Sequence, residues 1–144
     1  MKAEQLIEDE EGFCPYAYSD SKGYLTIGIG TLVDQRGGGI TLDEARYLMV
    51  NRVRPIYSSL DECMSWWRSL NEARQAVLVS MAYQMGISGL LKFKRTLEAM
   101  KRGDYKSAAD GMLASKWARE DSPSRARRAA RAMRTGSFAT REDA

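Results

Sequence analysis

Residues 24–30 read Tyr24-Leu25-Thr26-Ile27-Gly28-Ile29-Gly30. Apolar residues alternate with small or hydroxyl-bearing ones. Ile27 and Ile29 therefore face one side of a strand, and Thr26, Gly28 and Gly30 the other. The two glycines leave that second side bare, so a bulky ligand can approach the backbone there. Just upstream, Asp20-Ser21-Lys22-Gly23 has the composition of a tight turn. Tyr16-Ala17-Tyr18 before it is strand-like, which makes the segment a small hairpin, with a third short strand near Leu32 and Val33. Residues 2–11 form a short helix with Leu6 and Ile7 on its apolar side, and Gly12 is a natural stop.

Downstream the period changes. Gly37-Gly38-Gly39 is a loop. Thr41-Leu42-Asp43-Glu44 has the spacing of a capping box and starts a helix expected to run to about Arg52, ending before Pro55. Everything after Pro55 reads helical. Ser69-Leu70-Asn71-Glu72 is a second capping box. Residues 76–83 are apolar nearly all round, which predicts a helix buried in the middle of its lobe, with Gly86 as its stop. A helix over 94–102 ends at Gly103. Asp104 caps another that runs through Ala108, Met112 and Trp117. Ser122-Pro123 opens the last helix, whose apolar stripe is Ala126, Ala129, Ala130 and Met133. The fold class is α+β, mostly α. It comprises a small β-hairpin lobe (12–40), a connecting helix (41–53) and a larger helical lobe (1–11 and 54–144), with a cleft expected between the lobes.

The 144 residues suit one domain or two coupled lobes. With 44% hydrophobic and 28% charged residues the chain is expected to fold as a soluble globule, ordered short of its last few residues. No apolar segment resembles a secretory signal or a membrane span, so the expected location is the cytoplasm of the cell that makes the chain. Histidine is absent. That removes Ser-His-Asp and Cys-His nucleophile systems and His-based zinc sites. Cys14 and Cys63 lack metal-ligand spacing and are expected to be free, half-buried thiols. No cofactor or metal is expected. Acid–base chemistry near neutral pH falls to carboxylates, Lys, Tyr or Cys.

Three residues around the hairpin suit such chemistry. Glu11 ends the first helix, where the negative end of the helix dipole and the neighbouring Asp9 and Glu10 favour a protonated carboxyl. Asp20, at a strand–turn junction, is more solvated and expected to be ionised. Thr26 adds a hydroxyl on the glycine side of the strand. Two carboxyl groups in different environments are what glycoside hydrolysis requires. Taken singly, each residue has a purely structural explanation: a helix end, a turn former, a strand residue.

The segments together are more specific. Glu11-Gly12, Tyr18-Ser19-Asp20, Gly23-Tyr24 and Thr26-Ile27-Gly28-Ile29-Gly30 resemble the T4-like phage lysozymes, glycoside hydrolase family 24. The likeness continues through 40–45, 81–86, 115–117, 122–128 and 134–136. It implies one lysozyme-like domain over 1–144 and an endolysin: a muramidase that hydrolyses the β-1,4 bond between N-acetylmuramic acid and N-acetylglucosamine in peptidoglycan, for host lysis, held in the host cytoplasm and reaching the wall after membrane permeabilisation. It further implies that Glu11 protonates the leaving oxygen. Asp20 then stabilises the oxocarbenium-like transition state and helps activate water, and Thr26 holds that water, for an inverting outcome. Leu32, Tyr83, Gln84, Met85, Gly86 and Thr96 match substrate-binding positions, and Arg125 matches an arginine that pairs with the catalytic Glu. There are departures. Thr31 stands where many relatives carry His, Asn71 stands at the matching acid, and Gly111 replaces a substrate-contacting Asn.

Rival readings come from the same residues. A lytic transglycosylase needs one Glu, no second carboxylate and no water-holding Thr, so Asp20 and Thr26 argue against it. The Ser122–Gly136 segment carries Arg125, Arg127, Arg128, Arg131 and Arg134 with no acid. It suits a solvated basic face drawn to an anionic outer membrane or wall, or a basic helical binding module. Nucleic acid is not expected as a partner. Trp66, Trp67 and Trp117 and the methionines at helical spacing are read as core. A monomer is expected.

Overall fold

The computed structural model describes residues 2–138; the expectation for the last few residues lies outside these. The elements are α1 (Ala3–Glu11), β1 (Cys14–Ser19), β2 (Leu25–Gly28), β3 (Thr31–Leu32), α2 (Leu42–Cys63), α3 (Glu72–Leu91), α4 (Lys94–Lys101), α5 (Tyr105–Leu113) and α6 (Pro123–Thr135). A 3-10 turn covers Trp67–Ser69 and a π-helical turn covers Trp117–Asp121. This is the expected mostly helical α+β class. The chain divides into two compact units, Met1–Met49 and Val50–Ala144, and the division falls inside α2. The sequence reading joined 1–11 to 54–144; the division groups α1 with the strands that follow it directly.

In the first unit the sheet is antiparallel in the order β1-β2-β3. Tyr18 pairs with Thr26 and Cys14 with Gly28, with an irregularity between them. Thr26 pairs with Leu32 and Ile27 with Thr31. The strand expected over 24–30 is shorter than its alternation suggests. Gly28 and Gly30 take φ of 71° and 69°, a region that L side chains avoid, so the chain turns at Ile29-Gly30 into β3. The expected facing also changes: Thr26 is 4% exposed, whereas Ile29 is 40% exposed. The Thr41 capping box forms as predicted. The Glu44 amide donates to Thr41 Oγ1 at 3.1 Å, and the Thr41 amide donates to Glu44 Oε1 at 2.8 Å. Those bonds hold the Glu44 carboxyl below the usual carboxylate range.

α2 does not stop before Pro55; it continues to Cys63. Proline has no N–H and forfeits one ladder bond, but the turns beyond it are anchored by packing. Leu60 is fully buried and Ile56 packs on the core. Tyr57 stacks on Trp67 with ring centroids 5.9 Å apart. Asp61 accepts from Trp67 Nε1 and Arg68 Nε, both at 2.7 Å.

The core of the second unit gathers Leu60, Trp67, Leu78, Met81, Leu90, Met100, Met112 and Met133. Trp67 and Trp117 are buried as expected, and Trp66 is partly buried against the same core. Four local predictions change. Asn71, not Ser69, caps α3, its side chain accepting from the Arg74 amide at 3.0 Å, while the Ser69 hydroxyl donates to the Trp66 carbonyl. Gly86 breaks the helical geometry of α3 (φ 78°, ψ 163°), but helix resumes to Leu91. The Asp104-capped helix ends at Leu113, because the chain turns at Ser115 and starts a π-helical turn at Trp117. Cys63 is exposed and Cys14 half-buried, both free. Among the described residues no single helix is long and apolar enough to cross a membrane.

Candidate active site

The three hairpin residues singled out for chemistry all lie in the first unit, and two of them are joined through one backbone. Glu11 is the last residue of α1 and is exposed. Gly12 follows with φ 67° and turns the chain into β1. The Glu11 side chain lies directly on the backbone of Gly30. A Cβ added at Gly30 would sit 2.7 Å from Glu11 Cδ and Oε2. The bare backbone expected on the glycine side of the strand is thus the seat of the Glu11 carboxyl.

Asp20 follows β1 and shapes the turn to β2. Its Oδ1 accepts from the amides of Lys22 and Tyr24, each at 2.8 Å. Its own amide donates to the Tyr24 carbonyl at 2.9 Å, and the Gly23 amide closes the turn onto the Asp20 carbonyl at 3.0 Å. Among the described residues its second oxygen, Oδ2, has no hydrogen bond. Thr26 Oγ1 donates to the same Tyr24 carbonyl at 3.1 Å. The Thr26 hydroxyl oxygen keeps its lone pairs free to accept a hydrogen bond from another group. Tyr24 therefore ties Asp20 and Thr26 together.

Two residues absent from the sequence reading buttress this turn. Asp34, 8% exposed, accepts from the Leu25 amide at 3.1 Å and the Arg36 amide at 3.0 Å. It also takes the Arg36 guanidinium side-on, with Nε at 2.7 Å and a terminal nitrogen at 2.9 Å. The Arg36 side chain, then the Arg36 and Leu25 amides, hold the Asp34 carboxyl far below the usual carboxylate range. Asp34 in turn raises Arg36 above its ordinary value, with a smaller contribution from the charge of Asp20. The available signal was the acid and base two residues apart in Asp34-Gln35-Arg36, which is too common to single out.

The remaining predicted residues are spread over both units. Leu32 is half-buried in β3 and lies over Gly37, where an added Cβ would collide with it. Tyr83 is 51% exposed. Gln84 is engaged at both ends: Nε2 donates to Ser122 Oγ at 2.6 Å, and Oε1 accepts from Trp117 Nε1 at 3.0 Å. The Ser122 hydroxyl thus serves Gln84, although it stands at the predicted cap position of α6. Met85 packs on the core and Gly86 is exposed. Thr96 is buried against Gly111, where the absence of a side chain makes room for its hydroxyl. Arg125 is exposed on α6 and lines a hollow of about 330 Å³ with Ser80, Tyr83, Arg128 and Phe138. A separate hollow of about 410 Å³ in the first unit is lined by Ile27, Gly28, Ile40 and Tyr47 among others, and by none of the three chemical residues.

Comparison with known proteins shows the family of the chain. The family model described as phage lysozyme matches residues 8–131. The pre-baseplate central spike protein Gp5 of Enterobacteria phage T4 is 30% identical over 144 aligned residues, covering 81% of this chain and 25% of that protein. A probable T4-type lysozyme 1 from Dictyostelium discoideum is 24% identical over 160 residues, covering 92% of this chain and 94% of its relative. The chain thus spans a quarter of the spike protein but nearly the whole length of the other. On the strength of a match that covers most of its residues, the chain belongs to the phage lysozyme family.

Proposed function

We propose that the chain is a muramidase that cleaves the β-1,4 bond between N-acetylmuramic acid and N-acetylglucosamine in peptidoglycan, with inversion, during host lysis. The observation that carries this reading is the presence of two differently held carboxyls in one unit. Glu11 rests on a bare glycine backbone, and Asp20 is fixed by two amides with one oxygen left over. Glu11 donates its proton to the glycosidic oxygen as the bond to the sugar carbon breaks. Water attacks that carbon and gives up its proton to Asp20, whose charge also stabilises the oxocarbenium-like transition state. Thr26 accepts a hydrogen bond from the same water. Proton exchange with solvent then resets both carboxyls. Leu32, Tyr83, Gln84, Met85, Gly86 and Thr96 are assigned to glycan contact, and Arg125 to a supporting role.

The test is turbidity loss of chloroform-treated Gram-negative cells with wild type and Glu11→Gln, a swap that keeps shape and removes the acid. We expect the variant, folded by circular dichroism, to lose at least about two orders of magnitude in rate. Equal clearing by both would remove Glu11 from the mechanism. Products should carry free reducing ends; anhydro-sugars would mark a lytic transglycosylase instead.

A second, accessory role has its own observation. Arg127, Arg128 and Arg131 line a hollow of about 470 Å³ beside Phe138, and among the described residues no arginine of α6 is in an ion pair. This cationic face suits attraction to an anionic envelope surface. Binding to anionic vesicles at low salt should fall steeply when all three are changed to Gln, with hydrolysis of purified peptidoglycan retained; unchanged binding would rule the role out.

A further inference from the structure

The Asp20 turn is braced from outside by a residue that the mechanism above does not use. Arg36 reaches across to it from the loop after β3. One terminal nitrogen donates to the Gly23 carbonyl at 3.0 Å. The guanidinium carbon lies 4.3 Å from the centroid of the Tyr24 ring, within the range of a cation–π contact. Gly23 and Tyr24 are the two residues that close the Asp20 turn, and the Tyr24 amide is one of the two donors to Asp20 Oδ1.

The arm that carries Arg36 is itself rigid. Asp34 takes the guanidinium side-on while accepting the Leu25 and Arg36 amides. The Val33 and Asp34 amides both return to the Leu25 carbonyl, at 2.9 and 3.0 Å. Leu25 directly precedes Thr26. A planar fork with five donors can serve a carboxylate and a carbonyl at once while stacking on a ring; an ammonium cannot.

We propose that Arg36, oriented by Asp34, is a positioning residue for Asp20: it holds the Gly23-Tyr24 segment so that Oδ1 stays bonded to the two turn amides and Oδ2 stays directed for chemistry. The proposal rests on the reading of Asp20 as a reacting carboxylate. The fork makes no hydrogen bond to Asp20 and acts chiefly through the backbone that fixes it, with a smaller contribution from the attraction between the two charges. Misplacing a reacting group by about 1 Å costs on the order of a hundredfold in rate, so loss of the brace should be visible in kcat.

Arg36→Gln alone leaves the Asp34 carboxylate without its cation, which destabilises the unit for a reason unrelated to Asp20. The informative variant is therefore the double change Asp34→Asn with Arg36→Gln, which removes the orphaned charge. It is compared with wild type, Arg36→Lys and Asp20→Asn. The measurements are kcat and KM on a soluble peptidoglycan fragment, and amide hydrogen exchange at Lys22 and Tyr24. We expect the double variant to fold but to lose about ten- to a hundredfold in kcat with KM nearly unchanged. Exchange at Lys22 and Tyr24 should be faster, and Arg36→Lys should recover only part of the rate. Wild-type kcat and protection in the double variant, with Asp20→Asn inactive, would overturn the proposal and leave the reading of Asp20 standing. An active Asp20→Asn would overturn that reading first, and the catalytic part of this proposal with it.

Discussion

Asp20 and Tyr24 hold each other twice: the Tyr24 amide donates to Asp20 Oδ1 at 2.8 Å, and the Asp20 amide donates to the Tyr24 carbonyl at 2.9 Å. The carboxylate is thereby part of the turn as well as part of the proposed chemistry. Asparagine keeps an oxygen for the two amides but removes the negative charge. Asp20→Asn should therefore melt within a few degrees of wild type while its hydrolysis rate drops by about 10²–10⁴-fold. Differential scanning calorimetry and a cell-clearing assay on the same preparation check both halves.

Gly30 carries two constraints at once. Its φ is 69°, and a Cβ would sit 2.7 Å from the Glu11 carboxyl. Gly30→Ala should cost about 1–2 kcal/mol from backbone strain and should push the Glu11 side chain off its seat. The expected result is a loss of activity larger than the loss of stability explains. Gly38→Ala, at a loop glycine where an added Cβ meets nothing, serves as the control and should leave the rate unchanged.

The depressed Asp34 carboxyl makes a signed prediction about acid stability. Its folded-state value lies below its unfolded one, chiefly because of the Arg36 side-chain bond. The stability it contributes is therefore complete above the ordinary aspartate value of about 3.9 and is lost as pH falls below it. Asp34→Asn should be less stable than wild type at neutral pH, and the gap should narrow steadily below about pH 4. Urea midpoints at several acidic pH values measure this; a gap independent of pH would remove Asp34 as its source.

In the second unit, Gln84 joins α3 to the π-helical turn and to the start of α6. Gln84→Leu removes both partners and leaves the Trp117 N–H without an acceptor, a loss of about 1–3 kcal/mol. Gln84→Glu keeps an acceptor for Trp117, and the Ser122 hydroxyl can rotate to donate instead of accept. It should be markedly milder, as chemical denaturation of the two variants will reveal.

Much of the local structure was legible along the chain. The Thr41–Glu44 box, the Asp104 cap, the hairpin around Asp20-Gly23 and the Ala126–Met133 stripe all depend on side chains within four residues of the groups they serve, or on a simple period. The cap at Asn71 was misread as Ser69 because both residue types accept from helix amides, and only the path of the preceding turn selects between them. Glu11, Asp20 and Thr26 stand out as candidates for chemistry on the same local grounds, and their roles remain part of the proposal. Gln84, by contrast, bonds residues 33 and 38 positions away, which no local pattern displays.

What remained for tertiary structure to settle is the set of choices in which distant residues compete. The helix passes Pro55 because Ile56, Tyr57 and Leu60 gain more from packing than one lost backbone bond costs. Thr26 is buried and Ile29 exposed because positive φ at Gly28 and Gly30 ends the alternation early. The Asp34–Arg36 brace exists only because the strands bring Leu25, Gly23 and Tyr24 within reach of residues about ten positions on. Short-range bonding and periodicity are written residue by residue, whereas packing and long-range hydrogen bonds depend on which segments meet in space.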